Sequence, residues 1–226
     1  MAPRIGVMGG TFDPIHAGHL SVAVQAADAL ALDRVLLLPT RTPPHRPVDP
    51  SASTFHRFAM AALAARSDRR LAASDVELAR AGTSYTADTL RALHASGIER
   101  WQIFFLTGAD AFAEIATWRE YPAVLDLAQF VVCSRAGVAA SSMARRLPEL
   151  APRMIPVPSA FIHPGSEDPG LHAGGAQSRR ILAVQSPETR VFLLDRATPD
   201  ISSTDIRARA RAGRPLAGLV PPEVDD

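Results

Sequence analysis

The chain has 226 residues, 47% of them apolar, a formal charge of +1 and a single cysteine, Cys133. That is enough for one large domain with a substantial core, and the near-balanced charge argues against nucleic acid or a membrane surface as a partner. One cysteine excludes an intramolecular disulfide and a cysteine metal site; with no apolar run near membrane-spanning length and no signal-like opening, a cytoplasmic location is expected.

Arg4-Ile5-Gly6-Val7-Met8 reads as a first strand and leads into Gly9-Gly10-Thr11-Phe12-Asp13-Pro14-Ile15-His16-Ala17-Gly18-His19. Apolar residues at Leu20, Ala23, Val24, Ala27 and Leu30 then recur at helical spacing, so the stretch between is a strand-to-helix turn. Its paired glycines let backbone approach a ligand, and a helix N-terminus adds free N–H groups and a positive dipole end, together an anion site suited to phosphate. Val35 to Pro39 is a short apolar run, as expected for a strand buried on both faces of a parallel sheet. Thr40 to Pro50 holds four prolines and is a loop or lid. Open parallel α/β sheets hold ligands beyond the C-terminal ends of their strands, which makes His45 and Arg46 in this loop candidates to reach an anion.

Ser53 to Arg66 carries a helical apolar stripe, Leu71 to Leu78 is strand-like, and a loop from Gly82 leads to a helix beginning near Thr86. Trp101 to Thr107 is the most strand-like run and stops at Gly108-Ala109-Asp110. A short helical piece near Phe112 to Ile115, Trp118, a helix opened by Tyr121-Pro122 and a strand at Phe130 to Cys133 follow. Cys133, beside Phe130-Val131-Val132, reads as a core residue. From about 138 to 188 prolines and glycines break the periodicity, so an irregular segment is expected there. Arg190 to Leu194 is a last strand, and Ser202-x-x-Asp205 resembles a capping box opening a final helix that contains Arg207.

The first turn matches neither the P-loop G-x-x-x-x-G-K-[ST] nor the dinucleotide G-x-G-x-x-G, and His16-x-x-His19 lacks the glutamate and third ligand of a zinc site. Two histidines three apart at one helix terminus can instead face one pocket and donate to phosphate oxygens.

The first turn resembles the T/H-x-G-H signature of the nucleotidyltransferase superfamily, and Ile201-Ser202-Ser203-Thr204-Asp205-Ile206-Arg207 resembles its I-S-S-T-x-I-R signature. Pro43-Pro44-His45-Arg46, Ser84-Tyr85-Thr86 and Gly108-Ala109-Asp110 with Trp118 are similar to bacterial nicotinate-nucleotide adenylyltransferases. The resemblance implies an α/β fold of nucleotidyltransferase type, with a Rossmann-like open parallel sheet flanked by helices, over a single domain, 1–226. It implies transfer of the adenylyl group of ATP to nicotinate mononucleotide, releasing pyrophosphate, with Mg²⁺ carried by ATP and no metal ligands from protein side chains. His16, His19 and Arg207 would be catalytic, and Gly9, Gly10, Thr11, Phe12, Ser203 and Thr204 would bind ATP. His45, Arg46, Thr86, Asp110, Trp118 and Arg135 would bind the acceptor.

Simpler readings stay open for three of these: Trp118 packing beside Tyr121, Thr86 capping a helix and Asp110 capping a strand end. Rival functions are transfer to nicotinamide mononucleotide or phosphopantetheine, and a non-catalytic nucleotide sensor. A homo-oligomer is open. The resemblance also implies a last helix where the chain stops, at Leu219 to Asp226.

Overall fold

A computed structural model of the chain describes residues 2–44, 50–135, 137–158 and 188–225. Its strands are β1 (Ile5–Gly10), β2 (Arg34–Pro39), β3 (Leu71–Ala73), β4 (Ile103–Gly108), β5 (Gln129–Cys133), β6 (Met154–Pro156) and β7 (Val191–Leu194). The helices are α1 (Ala17–Leu30), α2 (Thr54–Ala64), α3 (Thr86–Ala95), α4 (Ala109–Phe112), α5 (Met143–Arg146), α6 (Ser203–Arg211) and α7 (Pro222–Asp225).

The strands form one seven-stranded parallel sheet in the order β3-β2-β1-β4-β5-β7-β6. Successive side chains of a strand point to opposite faces, and here both faces are covered. Met8, Val35, Leu37, Phe104, Leu106, Val131 and Phe192 share one core with Ala23, Ala26 and Leu30 of α1 and Ala61 and Ala64 of α2. Val7, Leu38, Phe105, Phe130, Val132 and Val191 share the other with Leu90 and Leu93 of α3 and with Phe112, Val124 and Met143. This two-sided burial explains why the strands read as continuous apolar runs.

Strand order reverses at β1, which pairs Val7 with Leu36 of β2 on one side and with Phe105 of β4 on the other. The crevice beyond the C-terminal ends of β1 and β4 is where such a sheet accommodates a ligand. The turn after β1, the loop after β2, Gly108 at the end of β4 and Arg135 after β5 all open there.

Three local expectations differ from the structure. The strand-like run from Leu71 ends at Ala73, and Leu78 and Ala79 donate to the Asp75 carbonyl in a turn. The piece after Pro122 is a 3-10 helix, Ala123–Asp126. The segment expected to be irregular from about 138 contains α5, two 3-10 turns and the edge strand β6 in its described part. Three residues ending in Pro156 are too few to show a period.

Candidate active site

The turn after β1 is shaped by close approach. A Cβ on Gly10 would stand 2.6 Å from the Phe12 ring, so only glycine lets that ring fold back under the strand. Phe12 itself is buried with φ at 49°, a left-handed conformation that costs a non-glycine residue roughly 1–2 kcal/mol. Its ring meets His19 edge-on at 5.1 Å.

His16 is the N-cap of α1 and His19 lies in the first turn, with ring centroids 3.7 Å apart. The His16 backbone N–H donates to His19 Nδ1 at 3.3 Å, which leaves the proton of a neutral His19 on Nε2. His16 is 2% exposed, and among the described residues neither of its ring nitrogens has a hydrogen-bond partner. Burial, and then the charge of Arg135, push this imidazole down to about 4, so it is neutral near pH 7.

The start of α6 is tied to the same turn. Ser202 caps α6 by accepting from the Asp205 N–H at 3.1 Å. Ser203 Oγ donates to the Pro14 carbonyl at 3.0 Å, and Arg207 donates to the Asp13 carbonyl at 2.5 Å and to Thr204 Oγ1 at 3.3 Å. Two helix N-termini thus converge.

A cavity of about 1300 Å³ lies over this junction. Gly9, Gly10, Thr11, Phe12, His16 and His19 line it from α1's side, and Ser203 and Thr204 from α6's side. Thr86, Trp118 and Arg135 line its far wall. Asp110 and Arg207 are not among the lining residues: Asp110 is exposed in the first turn of α4, and Arg207 stands behind the wall against Asp13. His45 and Arg46 lie outside the described residues.

Thr86 does not cap α3, whose N-cap is Tyr85; Asp110 lies just past the end of β4, in the first turn of α4, whose N-cap is Gly108. Trp118 is half-buried, packing on Phe105 and Phe130 at 6.1 and 6.4 Å while also lining the cavity. Burial raises the Cys133 thiol to about 12, which leaves it protonated and unreactive.

Several cavity residues carry no motif. Glu77 and Arg119 line it, the latter with its guanidinium 4.7 Å over the Tyr85 ring. Arg196 lines it as well, with one guanidinium nitrogen buried and unpartnered among the described residues. Asp195 accepts from the N–H groups of Ala140 and Ser141, holding the loop after β5 against the end of β7. In the sequence, Asp195 and Arg196 are marked by standing directly after the last strand, whereas Glu77 and Arg119 carry no such mark.

Among the described residues, no group of three or more His, Cys, Asp or Glu is placed to hold a metal. No helix of the described residues is long and apolar enough to cross a membrane. The arrangement can bind polyanions and donate hydrogen bonds to charge developing on phosphate.

Comparison with known proteins agrees with this geometry. The cytidylyltransferase-like family model matches residues 7–209. A protein of Geotalea uraniireducens named a nicotinate-nucleotide adenylyltransferase is 36% identical over 98% of this chain and 94% of its own length. One of Roseiflexus sp. with the same name is 38% identical over 97% of this chain and 92% of its own. Among solved structures, the Plasmodium falciparum nicotinic acid mononucleotide adenylyltransferase complexed with NaAD superposes with a TM-score of 0.64 at 15% identity, covering 100% of this chain and 94% of that one. At that identity the likeness shows the fold.

Proposed function

We infer the reaction from the premise that this chain belongs to the cytidylyltransferase-like family and, within it, to the nicotinate-nucleotide adenylyltransferases. The chain is a nucleotidyltransferase. It joins nicotinate mononucleotide to the AMP portion of ATP, giving nicotinate adenine dinucleotide and pyrophosphate in NAD biosynthesis. The observation that carries this reading is the buried, neutral and unpartnered His16 imidazole beside His19, in the wall of a cavity bounded by two helix N-termini.

A phosphate oxygen of the mononucleotide attacks the α-phosphorus of ATP in line, and the bond from that phosphorus to the bridging oxygen breaks. Alignment of the two polyanions and stabilisation of charge moving onto pyrophosphate are what the protein must supply. His16 and His19 donate to phosphate oxygens, while Ser203, Thr204 and the N-terminus of α6 hold the β and γ phosphates. Arg207 braces this clamp through Asp13 and adds positive charge behind it. Gly9 to Phe12 frame the nucleotide.

On the acceptor side, Trp118 stacks on the pyridine ring, Thr86 and Arg135 hold the mononucleotide, and Asp110 contributes from α4. His45 and Arg46 close over the anionic groups. A donor set rich in N–H groups and poor in clustered carboxylates suits Mg²⁺ that arrives on the ATP phosphates, an ion commonly held through substrate oxygens and water. When bound there, it neutralises charge on the departing pyrophosphate. A cytoplasmic location accords with water-soluble nucleotide substrates and a lone thiol.

Pyrophosphate release, followed with ATP and each of nicotinate mononucleotide, nicotinamide mononucleotide and phosphopantetheine, tests the reading. The highest kcat/KM is expected with nicotinate mononucleotide. A preference for either other acceptor would overturn the acceptor assignment, and no release with any would favour a sensor.

A further inference from the structure

Glu77 lies in the turn after β3, is 5% exposed and lines the large cavity, yet the phosphate clamp makes no use of it. Thr89 Oγ1 donates to its Oε1 at 2.8 Å and accepts from Arg80 at 2.8 Å. Thr89 is one turn beyond Thr86 in α3, so this contact fixes the start of that helix. The Gly9 end of β1 approaches from the other side, where a Cβ on Gly9 would stand 4.0 Å from Glu77 Oε1.

The adjoining loops are stitched to the same point. Ser84 Oγ accepts from the Arg41 N–H at 3.0 Å, and the Ser84 N–H donates to the Thr42 carbonyl at 3.0 Å. The Arg41 guanidinium donates to the carbonyls of Leu78 and Arg80 at 2.9 and 3.1 Å. The base of the proline-rich loop, the Glu77 turn and the Ser84-Tyr85-Thr86 stretch therefore form one hydrogen-bonded unit.

We propose that Glu77 is a positioning residue for the acceptor subsite: by holding Thr89 it sets the first turn of α3 and the presentation of Thr86 to the mononucleotide. The inference rests on the acceptor reading given above. Burial raises this carboxyl above its ordinary value and outweighs the hydroxyls of Thr89 and Ser84 and the charge of Arg80, which pull it down. As an acceptor of hydroxyl protons it orders the loop.

The experiment is steady-state kinetics of the full chain with ATP and nicotinate mononucleotide, for Glu77→Met, Thr89→Val and the double variant. Each single change is expected to raise KM for the mononucleotide about tenfold, the scale for one hydrogen bond to a charged group. KM for ATP should stay within about twofold, and the double variant should be little worse than either single one. A simple loss of folded protein would lower the apparent kcat at unchanged KM and does not give this pattern. Should Glu77→Met fail to fold, Thr89→Val reads the same split. Unchanged KM for the mononucleotide, or parallel rises for both substrates, overturns the proposal. Trp118→Ala is run alongside: a raised KM there with Glu77 and Thr89 silent refutes the Glu77 inference alone, whereas silence in all three refutes the acceptor subsite with it.

Discussion

The Ser203 hydroxyl donates to the carbonyl of Pro14 at 3.0 Å, joining residues separated by 189 positions. Arg207 makes the parallel link to Asp13, so the two signature segments are held directly to each other. One guanidinium nitrogen reaches Asp13 while the other reaches Thr204, a forked arrangement that a lysine ammonium cannot reproduce. Arg207→Ala is expected to lower kcat/KM for ATP by about a hundredfold, the scale for losing two hydrogen bonds from a charged group that hold the clamp together. Arg207→Lys should recover less than about a tenth of the wild-type value. Initial-rate assays at varied ATP check both, and near-wild-type values for the lysine variant would count against the fork.

His16 makes stability depend on acidity. Its folded-state value near 4 lies below the 6.5 of an unperturbed imidazole, so the unfolded chain binds the extra proton first as pH falls. The stabilising contribution is complete above about pH 6.5 and is lost progressively down to about pH 4, amounting to about 3 kcal/mol. Urea unfolding at a series of pH values should show this slope in the wild type and lose most of it in His16→Gln. Because His16 of the free protein stays neutral across pH 5.5 to 8, an inflection in kcat/KM within roughly that range would have to arise elsewhere.

Trp118 turns one side to Phe105 and Phe130 and also lines the cavity, and the chain has only one other tryptophan, Trp101. Stacking of a pyridine ring on Trp118 should quench its fluorescence. The quench on titration with nicotinate mononucleotide is expected to survive Trp101→Phe and to vanish in Trp118→Phe. Survival of the quench in Trp118→Phe would reduce Trp118 to a packing role.

Much of this fold could be read from the sequence because the physics was local. Strands covered on both faces leave unbroken apolar runs such as Phe104 to Leu106, and the glycines and histidines of the clamp lie within one short stretch. The short edge strand β6 leaves no period to detect. Glu77 and Arg57 were invisible for another reason: each acquires meaning from partners elsewhere in the chain, Thr89 lying 12 positions from Glu77 and Thr11 lying 46 from Arg57. A lone charged residue in a helix or turn reads as a solvated one until the fold brings its partners to it.

Arg57 shows what that hidden contribution is worth. It is 1% exposed on α2, and its guanidinium donates to the carbonyls of Thr11, Arg41 and Ala52 at 2.7, 3.3 and 3.3 Å. Asp13 meanwhile accepts from the N–H groups of Ser51 and Ala52 at 2.7 and 3.0 Å, so the two residues grip the approach to α2 from both sides. Arg57→Met keeps the apolar stem but leaves these carbonyls without their donor, a loss expected to cost about 3 kcal/mol. One ammonium cannot serve sites this far apart, so Arg57→Lys should restore less than half of it. Arg153, paired with Asp126 at the surface, is the control: Arg153→Ala should cost no more than about 0.5 kcal/mol in the same urea titration. Equal costs at the two positions would mean that the buried guanidinium does not brace the Thr11 turn.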